Sequence, residues 1–82
     1  MKLNILAFGI TKEILGGRLV ELEIELDDQA RVRDLREALF LQHPELKKLN
    51  SLGIAQGSKY AEDSDLLDPT QEIALIPPVS GG

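Results

Sequence analysis

Val20-Glu21-Leu22-Glu23-Ile24-Glu25-Leu26 alternates apolar and acidic residues without a break, and Val32-Arg33-Asp34-Leu35-Arg36-Glu37-Ala38-Leu39-Phe40-Leu41-Gln42 soon after it changes period. The first pattern reads as a half-buried strand with a solvated outer face of Glu21, Glu23 and Glu25. In the second, Val32, Leu35, Ala38 and Leu39 share one helical face, while Arg33, Arg36 and Glu37 share the other. Asp34 falls in the first turn, where the helix dipole favours an acid. His43-Pro44 ends the helix, because the residue before proline avoids the α region. Arg31, just ahead of the helix, is a poor N-cap.

Outward from this pair, Leu3, Ile5 and Ala7 alternate with Asn4, Leu6 and Phe8. That is a first strand apolar on both faces, expected in the middle of a sheet and antiparallel to the Val20–Leu26 strand. Thr11 to Leu15 forms a short helical turn closed by Gly16-Gly17. Leu46 and Leu49 cover the core from a looser segment. Ile54-Ala55 and Tyr60-Ala61 flank Gly57-Ser58 as a short hairpin. Asp68-Pro69-Thr70 is a turn, and Glu72 to Ile76 is the last strand. One main helix across a small mixed sheet, with the last strand parallel to the first, gives an α+β chain of the ubiquitin-like β-grasp type, although the element order alone fits several folds. Residues 1–76 are expected to form this domain and residues 77–82 an extended tail.

Composition limits the chemistry. The chain has 82 residues, a net charge of −5, a single histidine and no cysteine. Disulfides, a thiol nucleophile and cysteine-type zinc sites are excluded. The longest basic cluster is Lys47-Lys48, so phosphate backbones are not expected partners. No run is long and apolar enough to span a membrane, and the N-terminus lacks a signal-peptide profile. A cytoplasmic location, no nucleic acid and no membrane are the expectations. His43 reads as a surface or capping residue, Tyr60 and Phe8 as packing residues. No carboxylate pair is spaced for a metal.

The most specific feature is Pro77-Pro78-Val79-Ser80-Gly81-Gly82. The prolines fix φ and push the chain into an extended course, and the glycines let it enter a slot too narrow for side chains. Small residues are common at chain ends. Here they come directly after an apolar strand and a double proline. Six extended residues reach about 20 Å. Ordering them on a partner costs about 1–2 kcal/mol per residue, which an apolar docking face on the domain must offset. Phe8, Leu75 and Ile76 are the candidates for that face, with Val79 as a further contact.

The run Glu72-Ile-Ala-Leu-Ile-Pro-Pro-Val-Ser-Gly-Gly82 resembles the C-terminus of the molybdopterin synthase small subunit, a ubiquitin-like sulfur-carrier family of molybdenum cofactor biosynthesis. Leu3-Asn-Ile-Leu-Ala-Phe-Gly9 and Val32-Arg-Asp-Leu-Arg-Glu-Ala-Leu39 are similar in pattern. The chain departs from the family in having Gly57 where Asn often stands, and Thr70-Gln71 where Gly-Asp often stands. The resemblance implies a non-catalytic sulfur-donor subunit of a sulfurtransferase complex, a heterotetramer with the large subunit of the synthase. Gly82 would be adenylated by a ubiquitin-activating-type adenylyltransferase that uses ATP, with no cofactor bound to this chain. A persulfide donor would convert it to a thiocarboxylate. Pro77, Pro78, Val79, Ser80 and Gly81 would thread into the partners' active sites. There the sulfur would pass to cyclic pyranopterin monophosphate to build the dithiolene. Two alternatives stay open: a sulfur carrier for another acceptor, as in thiazole synthesis or tRNA thiolation, and a ubiquitin-like protein modifier or binding module.

Overall fold

The computed structural model describes residues 1–49 and 51–78. Strand β1 (Lys2–Ala7), helix α1 (Ile10–Leu15), strand β2 (Leu19–Glu23) and helix α2 (Val32–Gln42) are followed by a 3-10 helix (Pro44–Lys48). Strands β3 (Gly53–Gln56), β4 (Lys59–Tyr60) and β5 (Ile73–Ile76) complete one sheet in the order β2-β1-β5-β3-β4. Strands β1 and β2 are antiparallel, and β1 and β5 are parallel. Both relations agree with the sequence reading. Strand β1 is paired on both sides, as its composition suggested, but the middle of the sheet is β5.

One face of the sheet holds the core. Leu3 and Ile5 of β1, Ile54 of β3, and Ile73 and Leu75 of β5 are buried with Val32, Leu35 and Leu39 of α2. The α2 stripe is the one expected from its period. The Val20–Leu26 alternation also holds, with Ile24 buried and the three glutamates exposed. The strand itself stops at Glu23, opposite the first residue of β1: Glu23 is opposite Lys2, and the Ile24 N–H bonds to Met1 O at 2.9 Å. Leu46 is buried as expected, but its segment is a regular 3-10 helix opened by Pro44 rather than a loose one.

Helix α2 begins without a side-chain acceptor from Arg31, yet its first turn is satisfied. Asp34 Oδ2 accepts the Arg31 N–H at 2.7 Å. The N–H groups of Val32 and Arg33 donate to Asp65 O and Asp63 O at 2.9 and 3.1 Å. A distant loop thus supplies the acceptors that a local cap usually provides. Arg31 Nη1 bonds Ser64 O at 2.6 Å, and Arg36 Nε bonds Asp63 Oδ1 at 3.1 Å, which ties the loop to the helix.

The β3–β4 turn runs through Gly57 (φ 55°) and Ser58 (φ 73°). Positive φ at both central residues is the hairpin geometry that matches strand twist. Gly57 is needed for a second reason. A Cβ there would overlap the Gln71 carboxamide. Gly57 and Gln71 therefore meet in space, with Gln71 lying where Gly57 has no side chain.

Candidate partner-docking face and tail exit

Pairing across the sheet places Leu19, Leu6, Ala74, Ala55 and Tyr60 in one row, one residue from each strand in sheet order. Directly paired residues share a face, and this one is opposite the α2 side. The row continues toward the end of β5 with Phe8, Ile76 and Gly53. Phe8 is 40%, Leu19 64% and Tyr60 73% exposed, while Ile76 is half-buried. A shallow depression of about 230 Å³ runs between Leu6, Phe8, Tyr60, Glu72, Ala74 and Ile76. Contiguous apolar surface of this kind makes a candidate binding face, whereas isolated exposed leucines do not.

Backbone geometry presents these side chains. The fully buried Thr11 hydroxyl accepts the Phe8 N–H at 2.9 Å and donates to Phe8 O at 2.5 Å, which fixes the chain just past β1. Tyr60 lies across the bare backbone of Gly53, where a Cβ would be 3.1 Å from Tyr60 Cε1. Toward the opposite end the same face turns polar: Glu21 pairs with Asn4 and Glu23 with Lys2, and Lys2 Nζ lies 3.8 Å from Glu21 Oε1. Glu25 falls beyond the strand.

Two of the three docking candidates, Phe8 and Ile76, are on this face. Leu75 is not. It is fully buried because the β5 register aligns it with Ala7 and Ile54 on the helix side. Tyr60, read as a packing residue, is exposed instead, and so is Phe8, for which the sequence offered both packing and docking. Leu6, Leu19 and Ala74 were not singled out in sequence. The signal was the second apolar set of β1, which faces solvent and not a second layer. His43 caps the end of α2, its N–H donating to Leu39 O at 2.7 Å. Among the described residues no His/Asp/Glu group is arranged to hold a metal, and no helix is long and apolar enough to cross a membrane.

Strand β5 delivers the chain to Pro77 and Pro78, both half-buried, at the apolar end of the open face. Val79, Ser80, Gly81 and Gly82, the remaining tail candidates, lie outside the described residues.

The sequence profile of the ThiS family matches residues 5–82. A molybdopterin synthase sulfur carrier subunit from Chlamydomonas reinhardtii is 32% identical over 85 residues, with both chains fully covered. SAMP1 (small archaeal modifier protein 1) from Haloferax volcanii has a TM-score of 0.78 at 26% identity, with 100% of both chains covered. A putative molybdopterin converting factor subunit 1 from Pyrococcus furiosus has a TM-score of 0.81 at 25% identity, covering 96% of this chain and 99% of that one. These relatives bear out the ubiquitin-like β-grasp and the resemblance carried by the tail: the chain belongs to the ThiS family of ubiquitin-like sulfur carriers.

Proposed function

We propose that this chain is the sulfur-carrying subunit of a molybdopterin synthase, with the Gly82 carboxylate as the carrier atom group. The observation that carries the reading is the placement of Pro77-Pro78 at the apolar end of an open sheet face. A body that docks through Phe8, Ile76 and Tyr60 directs the residues after Pro78 toward the partner it has bound. The Chlamydomonas reinhardtii relative, covered over its full length, is itself named as a carrier subunit of that synthase.

The chemistry is dictated by the carboxylate. Its charge is delocalised and oxide is not a viable leaving group, so sulfur cannot replace oxygen directly. Adenylation by a ubiquitin-activating-type enzyme joins Gly82 to AMP and releases pyrophosphate from ATP. The outer sulfur of a persulfide then attacks the acyl carbon and AMP leaves. Reduction of the resulting acyl disulfide by a thiol frees the thiocarboxylate. Docked on the large subunit, the thiocarboxylate sulfur attacks a carbon of the cyclic pyranopterin monophosphate as a carbon–oxygen bond there breaks, which forms a thioester. Water then cleaves the acyl–sulfur bond, leaves the sulfur on the pterin and returns the carboxylate, and a second charged tail supplies the second sulfur. This chain supplies no acid or base to these steps. It supplies position, through Pro77, Pro78, Val79, Ser80 and Gly81, and the transferable sulfur.

Deleting Gly82 tests the reading. The truncated chain is expected to fold and to bind the large subunit while forming no dithiolene in a reconstituted synthase. Dithiolene formation by that variant would refute the assignment. A second reading, a ubiquitin-like protein modifier, is favoured by the likeness to SAMP1. Isopeptide conjugates through Gly82 would support it.

A further inference from the structure

Three features converge where β5 ends. The parallel pairing of β1 and β5 closes with Ala7 aligned to Leu75, so two residues later Gly9 and Pro77 stand at the same level. Pro77 has no N–H with which to extend the ladder. Gly9 holds φ 55° and ψ −132°, a conformation open in practice to glycine alone. An L-type Cβ at Gly9 would stand 3.2 Å from Pro77 Cγ, so the proline ring lies against the bare Cα. The notch itself is held. Phe8 is locked by the buried Thr11 hydroxyl, and the Lys12 N–H donates to Gly9 O at 3.1 Å.

We infer that Gly9 is a positioning residue for sulfur loading and transfer: its notch seats the Pro77 ring and sets the direction in which the chain leaves the domain. Where hydrogen bonding between β1 and β5 must stop, ring-on-backbone packing continues the alignment by one more residue. The carboxylate, five residues beyond Pro77, then starts from a fixed origin and not from a free hinge at Ile76. This rests on the carrier reading of the chain. Positioning acts on the chemical step, because a displacement of about 1 Å at a reacting group can cost on the order of a hundredfold in rate. The apolar face that governs docking is left as it was.

The test compares full-length wild type, Pro77→Ala, Gly9→Ala and a synthetic chain with D-alanine at position 9. All are incubated with an adenylating enzyme that demonstrably charges a related carrier, with ATP and a persulfide donor. D-alanine suits positive φ and directs its methyl away from the Pro77 side, so it separates backbone strain from loss of the notch. Pro77→Ala and Gly9→Ala are expected to lower kcat for thiocarboxylate formation roughly tenfold or more with KM within about twofold. The D-alanine chain is expected to match wild type. Amide NMR shifts of β1 and β5 report whether the sheet is intact. Equal kcat for Pro77→Ala and wild type would overturn the proposal, as would a change confined to KM. If the wild type itself gains no sulfur, the carrier reading fails instead, and the two failures are distinct.

Discussion

Leu75→Ala and Ile76→Ala should behave as opposites, although the two residues are adjacent and both apolar. Leu75 is fully buried between β1, β3 and α2, so truncation removes contacts on every side and leaves a cavity. Such substitutions cost about 2–5 kcal/mol. Taking about 3 kcal/mol, and about 4–8 °C per kcal/mol for a domain of this size, the melting temperature should fall by about 12–24 °C. Ile76 is half-buried on the open face, and its truncation should cost about 1 kcal/mol. Thermal melts monitored by far-UV circular dichroism give the first comparison. Urea titrations with unchanged slope confirm that the folded states are equivalent. At a temperature where both variants are folded, only Ile76→Ala should weaken association with the large subunit. Equal stability losses, or a binding defect confined to Leu75→Ala, would refute the β5 register and with it the docking face.

Phe8→Asp should leave the fold intact, because the ring is 40% exposed, and should weaken partner binding roughly tenfold or more in a calorimetric titration. Gly57→Ala should be destabilising through both its φ of 55° and overlap with Gln71, and Gln71→Gly in the same chain should recover at least about 0.5 kcal/mol of the loss in a double-mutant cycle. Hydrogen bonds from the Thr70 hydroxyl and N–H hold the Asp68 carboxyl below its ordinary pKa. A depressed folded-state pKa contributes stability that is present above the unfolded value and is lost as pH falls through the folded one. Wild type should therefore lose stability more steeply on acidification than Asp68→Asn, and parallel acid limbs in pH-dependent melts would contradict this.

Local patterns made most of the architecture legible. Helix α2 spans Val32–Gln42 as its period and His43-Pro44 indicated, and the Gly57-Ser58 hairpin forms where small residues allow positive φ. The features left open in sequence depended on tertiary partners. The start of α2 is capped by carbonyls of Asp63 and Asp65, some thirty residues away, which a local capping rule does not see. The run Ile73-Ala-Leu-Ile76 has no polar alternation, so nothing local says which side faces the helix. The register with β1 and β3 decides it, and puts Leu75 inside. The second apolar set of β1 is the informative case. A strand apolar on both faces suggests cover on both, yet Leu6 and Phe8 open onto a surface that the tail exit adjoins. The same pattern that reads as core in one strand is here an open apolar face, and the difference lies in what packs above it.

The central claim is that Gly82 carries sulfur. The most direct measurement is the intact mass of the full chain after incubation with a ubiquitin-activating-type adenylyltransferase, ATP and a persulfide donor, with C-terminal fragmentation to place any change. The expected result is a gain equal to replacement of one oxygen by sulfur, located at Gly82. An unchanged mass, with an enzyme that demonstrably charges a related carrier, would contradict the claim.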